Sequence, residues 1–259
     1  MRTLKPRPRQ RCTYPFAAVI LDMDGVMVDS EHQWMLAEMP FLGGLVGRWR
    51  VSDHRKVVGL GVVDLYYHLV REYGLRLGKE DFLARCDRLA LEVYRRKVSL
   101  APGLRRFIHD LRRRAVPLGL ASSSPRNWVD MVLRRFHLAS CFAAVVTGDD
   151  APGRTKPAPD LYLLAARRLK VRPADCLAVE DSDFGVRAAK DAGMTCAGLR
   201  SGHNDEQELS EADWEARGFA ELDYRRLSRR LTAFPRAYYH RRNDKMRAEA
   251  LAKLRTTLK

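Results

Sequence analysis

Four short apolar runs, each closed by a cluster of polar residues, punctuate the chain. Residues 16–21 run into Asp22 and Asp24, 116–121 into Ser122, Ser123 and Ser124, 142–146 into Thr147, Gly148, Asp149 and Asp150, and 176–179 into Glu180, Asp181 and Ser182. Apolar runs this short, without alternation, predict strands buried on both faces of a parallel sheet. Between and after them, apolar residues recur at helical spacing, which predicts helices over 33–47, 62–73, 79–98, 104–114, from Ser124-Pro125 to about His137, 159–169 and 183–192. Gly193 ends the last of these before a further predicted strand at 195–199. The tract Phe82, Leu83, Cys86, Leu89, Ala90, Val93, Tyr94 reads as the buried stripe of one helix. Strands alternating with helices give the α/β class, with 32–99 as a helical insert after the first strand.

Ligands of open parallel sheets sit beyond the carboxyl ends of the strands, where all four polar clusters fall. Asp22 and Asp24, spaced i, i+2, can face the same side and share one crevice. Carboxylates that close raise each other's pKa unless a cation lies between them, so the pair implies a divalent metal or a shared proton. An Asp-Gly pair by itself does no more than end a strand. The other runs change that, because they bring hydroxyls, the acids Glu180 and Asp181 and, after a short loop, Lys156 to the same edge. Gly59-Leu60-Gly61 has no strand before it and is not a dinucleotide fingerprint.

In order along the chain, DMDGVMVDSE, LASSS, KPAPD and VEDSDFG resemble the four motifs of the haloacid dehalogenase superfamily, in the subgroup with a helical cap after the first motif. The resemblance covers roughly residues 16–223. It implies a three-layer, doubly wound parallel sheet of Rossmann-like form, with a catalytic core at 16–31 and 100–224 and the cap at 32–99. It also implies a Mg2+-dependent phosphatase of small phosphorylated metabolites, such as a sugar phosphate or phosphoglycolate, working through an aspartyl-phosphate. Asp22 would be the nucleophile and Asp24 the general acid and base, while Ser122, Ser123 and Lys156 would hold the phosphoryl group. The Mg2+ ligands would be Asp22, the backbone carbonyl of Asp24, Asp181 and Glu180, the last directly or through water. Asp24 separates the chain from the dehalogenases, which need no acid for their leaving group. The alternative is a β-phosphoglucomutase-like enzyme, whose cap arginine would fall near 59–64, where this chain reads GLGVVD. Ser124 and Arg126 are expected in helix capping and on the surface, and His32 and Trp34 in core or hinge packing.

Composition changes this picture only at the ends. The 259 residues are 46% hydrophobic, enough for a real core in one large domain or two small ones. No apolar run approaches about 18 residues and the first twelve lack a signal-peptide apolar stretch, so a cytoplasmic chain is expected. Cys12, Cys86, Cys141, Cys176 and Cys196 form no C-x-x-C pair, and reduced thiols are expected. The net charge of +15 divides into +5 over residues 1–15 and +10 over 225–259, leaving thirty basic and thirty acidic residues between. The charge therefore describes a basic N-terminal tail and a basic C-terminal extension. Leu227 and Leu231, then Met246, Ala250, Leu254 and Leu258, recur every four residues, as in helices packed on the body. The other expectation for such tails is contact with nucleic acid or an anionic surface.

Overall fold

The structure, a computed structural model, describes residues 14–233. Strand β1 (Ala18–Leu21) ends in a tight turn, in which Gly25 takes a left-handed φ of 70° that a side chain would oppose. The helical insert comes next as α1 (Ser30–Val46), α2 (Val51–His54), α3 (Val62–Tyr73) and α4 (Lys79–Glu92), the last continuing as a π-helical turn, Val93–Lys97. The body resumes with α5 (Leu104–Arg113), β2 (Leu118–Ala121), α6 (Arg126–Arg135), β3 (Ala144–Val146), α7 (Asp160–Leu169), β4 (Cys176–Glu180) and α8 (Asp183–Asp191). It closes with β5 (Thr195–Leu199), β6 (Trp214–Ala216) and α9 (Tyr224–Ala233).

The strands form one parallel sheet in the order β3-β2-β1-β4-β5-β6. Neighbouring residues of β1 bury on opposite faces: Ala18 and Ile20 join Leu161 and Ala165 of α7 and Val186 of α8, while Val19 and Leu21 join Phe107 of α5, Val129 of α6 and Leu227 of α9. Helices on both faces make the expected doubly wound, three-layer α/β fold and explain why β1 is apolar throughout. Winding runs outward from β1 to β3, then restarts on the other side at β4. The switch point between β1 and β4 is where such a sheet opens a crevice at its carboxyl edge.

Four elements differ from the sequence expectation, the first being α2, a four-residue helix too short to show a helical period. Pairing of β2 begins at Leu118 rather than 116, because Pro117 has no N–H to give the ladder. Helix α6 starts at Arg126, with Pro125 as its N-cap and no side-chain cap from Ser124. Strand β6 has no run to announce it: three residues, the middle one exposed, pair with β5.

Within the insert, Phe82 lies against Phe41 and Tyr66, with ring centroids 6.2 and 5.5 Å away, and Trp49 lies 5.0 Å from Tyr73. The expected stripe is buried at Phe82, Cys86, Ala90, Val93 and Tyr94 and half-buried at Leu83 and Leu89. Where the insert leaves and rejoins the body, Ser99 Oγ donates to Asp29 Oδ2 at 2.7 Å and Asp29 N–H to the Ser99 carbonyl at 3.1 Å. Both termini of the described chain pack on the body. Tyr14 donates to the Leu222 carbonyl and its ring lies 6.3 Å from Tyr224, while Leu227 is 1% exposed. The basic run through residue 13 with Cys12, and Met246, Ala250, Leu254 and Leu258, lie outside the described residues. Among the described residues no helix is long and apolar enough to cross a membrane, and Cys86, Cys141, Cys176 and Cys196 are free thiols.

Candidate active site

The carboxyl ends of β1, β2 and β4 place Asp22, Ser122 and Glu180-Asp181 side by side, because these strands are adjacent and in register. Asp22 comes directly after β1, its N–H bonded to the Val179 carbonyl of β4. Lys156, 3% exposed, arrives from the loop before α7 and donates to Asp22 Oδ1 at 2.5 Å. The same ammonium lies 2.5 Å from Glu180 Oε1, which also accepts from Tyr162 of α7 at 2.6 Å. Glu180 is wholly buried and is not among the residues that line the crevice. Gly185 makes room for it, since a Cβ there would fall on the Glu180 carboxylate.

Burial pushes the Asp22 carboxyl up to about 8; Lys156 opposes this, and the charges of Glu180 and Asp24 add to it. Burial would lower Lys156, yet the two carboxylates beside it outweigh burial and hold its ammonium above the ordinary value. Asp22, Glu180 and Asp181 each offer an oxygen, and these oxygens lie within 4.8 Å of one another. Three buried hard donors with one lysine between two of them fit a small divalent cation. Asn204 steadies this corner by donating to the Asp181 and Leu199 carbonyls, each at 2.8 Å.

The Asp24 carboxylate turns away from that cluster. Its Oδ1 accepts from Ser30 Oγ and from the Tyr94 hydroxyl, both at 2.7 Å, and its Oδ2 from Ser124 Oγ at 2.9 Å. Trp34 Nε1 in turn donates to the Tyr94 oxygen at 3.1 Å. This corrects three expectations. Ser124 binds Asp24 instead of capping a helix, Trp34 lines the crevice and orients Tyr94 instead of only packing, and Tyr94 is more than part of a buried stripe. Arg126 stays on the surface, paired with Asp130, and its N–H is taken by Asp149, so the first turn of α6 does not offer that N–H to a ligand. His32 stacks on His203 outside the crevice, with centroids 5.3 Å apart.

Asp22, Asp24, Ser122, Ser123, Lys156 and Asp181 line the body side of one crevice of about 90 Å³. Ser122 Oγ accepts from the Ser124 N–H at 3.1 Å, whereas the buried Ser123 Oγ has no hydrogen-bond partner. Across from them stand Trp34, Glu38, His54, Val58, Leu60 and Tyr94 of the insert. The insert is closed onto the body: Thr155 donates to Asp64, Arg55 pairs with Glu206, and a Cβ at Gly61 would lie 3.2 Å from the Ser123 carbonyl. Glu38 and His54 were not singled out from sequence, because one acid and one histidine among helical residues carry no local signal. Burial, with Asp24 adding to it, pushes the Glu38 carboxyl up to about 8, and burial lowers the His54 imidazole.

A family model described as haloacid dehalogenase-like hydrolase matches residues 16–193. Hexitol phosphatase B of Escherichia coli is 34% identical over 181 residues, covering 68% of this chain and 80% of that protein. Beta-phosphoglucomutase of Bacillus subtilis is 31% identical over 198 residues, covering 71% of this chain and 84% of its own. Among solved structures, CbbY of Rhodobacter sphaeroides in complex with phosphate superposes with a TM-score of 0.70 at 27% identity, over 80% of this chain and 96% of that one.

Proposed function

We propose that this chain, which belongs to the haloacid dehalogenase-like hydrolase family, is a Mg2+-dependent phosphatase that passes the phosphoryl group of a small phosphorylated metabolite to Asp22 and then to water. The observation that carries this reading is the meeting of Asp22, Lys156 and the three-carboxylate cluster at one sheet edge.

A phosphate monoester resists attack because it is anionic, so the site must neutralise charge while presenting a nucleophile. Asp22 attacks phosphorus and becomes an aspartyl-phosphate as the ester oxygen departs. Asp24 gives that oxygen a proton, then takes one from the water that attacks the aspartyl-phosphate, which restores Asp22 and releases phosphate. The three hydroxyls around Asp24 set the direction of its carboxyl in both half-reactions. Lys156 supplies a fixed positive charge beside the nucleophile, and Ser122 and the unpartnered Ser123 Oγ are donors for the phosphoryl oxygens. Asp22, Asp181, Glu180 and the Asp24 backbone carbonyl would hold Mg2+. When bound, the ion supplies positive charge that favours ionised Asp22 and offsets the charge of the phosphate.

Hydrolysis is favoured over a mutase reaction because Lys156 is the sole Lys or Arg among the described residues lining the crevice. A second phosphate would meet no Lys or Arg among the described residues that line the insert side of the crevice. The test is phosphate release across a panel of phosphorylated metabolites, with and without Mg2+, in the native protein and in Asp22→Asn. Mg2+-dependent release that vanishes in the variant is expected; release that persists in Asp22→Asn overturns the mechanism.

A further inference from the structure

The balance of thirty basic and thirty acidic residues in the central chain hides an uneven distribution. Helices α5, α6 and α9 cover one face of the sheet, where Phe107, Val129 and Leu227 are buried together. They lie side by side. Arg105, at the start of α5, donates to the Phe136 carbonyl at the end of α6 at 3.0 Å, and Arg114, at the end of α5, lies 3.8 Å over the ring of Tyr224, which opens α9. Residues 104–114, 126–135 and 224–233 hold twelve arginines and two acids, whereas the remainder of residues 14–233 holds twenty-two Lys or Arg and twenty-eight acids. Helices α7 and α8, on the opposite face, are balanced at four and three. Both acids of the basic face are engaged, Asp110 by Arg114 and Asp130 by Arg126, each at 3.0 Å. Arg106, Arg112, Arg113, Arg225 and Arg229 are exposed, and among the described residues no hydrogen bond or ion pair engages their side chains. None of the five lines the crevice. The described chain also begins and ends here, since Tyr14 lies against Tyr224 and α9 runs to Ala233. The net +11 of residues 1–13 and 234–259 is therefore attached to the same face.

Among anionic partners, the chemistry of the face selects one. Protein interfaces keep charge out of their centres and rely on apolar or aromatic anchors, and membrane binding grows with the apolar area it buries. Among the described side chains, the large apolar ones that stand exposed, such as Leu36, Tyr67, Leu91 and Leu163, belong to the insert and α7 and none to these three helices. Single strands stack their bases on exposed aromatic rings, which the described side chains of this face do not offer. Guanidinium forks instead match phosphate oxygens two at a time, and interfaces with nucleic acid are much more positively charged than those with protein. We infer that the face made by α5, α6 and α9 is a docking surface for double-stranded nucleic acid, held by its phosphates without regard to sequence. The one side-chain amide of these segments, on Asn127, is bonded to Asp87, so the contacts fall on the phosphate backbone. The surface is independent of the phosphatase reading.

The experiment follows the fluorescence anisotropy of a short labelled duplex titrated with the full chain at about 50 to 200 mM salt. Arg106→Ala, Arg112→Ala, Arg113→Ala and Arg229→Ala are combined in one variant. A control combines Arg71→Ala, Arg76→Ala, Arg85→Ala and Arg167→Ala, which removes the same number of exposed charges from the insert and α7. The native affinity should fall steeply with salt. The face variant should bind at least about tenfold more weakly at the lowest salt, with a log–log salt slope shallower by up to about 0.9 for each arginine removed, while the control stays near native. Lysine at the same four positions should restore most of the slope, and kcat, KM and melting temperature should not change. A face variant that binds as the native protein does overturns the inference. So does a control that loses as much, because net charge rather than its place would then decide. Tighter binding to polyglutamate, to vesicles of phosphatidylserine and phosphatidylcholine, or to a single strand of the same length overturns the duplex as occupant. No binding of the duplex by the full chain at the lowest salt overturns the inference as a whole.

Discussion

Tyr94 is carried by the insert, yet its hydroxyl donates to Asp24 Oδ1 alongside those of Ser30 and Ser124. Hydrogen bonds to charged groups are worth about 1.5–3 kcal/mol, so losing one is felt in the rate as well as in the fold. Tyr94→Phe is expected to lower kcat roughly tenfold with little change in KM, and to steepen the dependence on leaving-group basicity. Steady-state kinetics on a series of aryl phosphates checks this. Lys156 answers to the opposite logic, because it separates two buried carboxylates. Lys156→Met should abolish turnover and cost about 3–5 kcal/mol of stability without divalent metal, as removal of one partner of a buried pair does, with Mg2+ restoring part of it. Melting with and without Mg2+ measures both effects. Glu38 gives a stability signature. Its carboxyl is raised to about 8 in the folded protein, so the folded state holds a proton that the unfolded chain has lost above the ordinary glutamate value of 4.5. Its contribution is therefore fully favourable below that value and is lost as pH rises toward 8. Denaturant unfolding of the native protein and Glu38→Gln across pH 4.5 to 8 should show the variant losing less stability as pH increases.

At the scale of elements, the π-helical turn after α4 is what aims Tyr94 inward. Val98 N–H reaches back to the Val93 carbonyl, and Arg135 of α6 donates to the Tyr94 carbonyl at 2.5 Å, so a helix of the body grips the end of the insert. Helix α8 makes a different contribution, since its first turn lies against the Glu180 carboxylate with only a hydrogen at Gly185. Alanine is normally better than glycine inside a helix by about 1 kcal/mol. Here the sign should reverse: Gly185→Ala must displace the carboxylate or the helix, because the added Cβ would fall on the Glu180 carboxylate. Lower melting temperature together with weakened Mg2+-dependent stabilisation is the expected outcome. A more stable variant would mean that Glu180 can move aside without cost.

At the scale of the molecule, Tyr14 and Leu227 belong to the body, and Arg114 and Arg230 lie over Tyr224 and Trp214 at 3.8 and 5.0 Å. Truncation should therefore fall after residue 13 and after residue 233. The removed segments carry eleven of the fifteen net charges. The 14–233 protein is expected to keep its kcat and melting temperature and to lose the share of salt-sensitive binding to nucleic acid that those segments supply. Cutting instead at 224 exposes the pocket of Leu227, at a cost of about 1.5–3 kcal/mol for that side chain alone. Activity, melting and binding at two salt concentrations on the three proteins distinguish these outcomes.

Asp22, Ser122, Glu180 and Asp181 were legible without coordinates because each follows directly on, or ends, an apolar run whose length and lack of alternation mark a buried parallel strand, whereas Lys156, in a loop ten residues past its run, was legible only through the KPAPD resemblance. Such strands, by their geometry, deliver the residues at their carboxyl ends to one edge. The helices were legible from their apolar spacing, to within a few residues at their ends, except α2, whose four residues are too few to show a period. Strand β6 was not, because three residues are too few to show a period and their strand character comes from pairing with β5. Nor were two of the three partners of Asp24, since Tyr94 and Ser124 lie 70 and 100 positions away and look like an ordinary core tyrosine and a helix cap. The meeting of Glu38 with His54 at the crevice, the burial of Tyr14 and Leu227 and the closure of Asp64 on Thr155 are of this second kind. Period and punctuation act through neighbours along the chain and so determined the edge on which the chemistry sits. Which side chains face that edge from the insert depends on how α1, α4 and the π-turn pack against α6, and only the tertiary structure decided that.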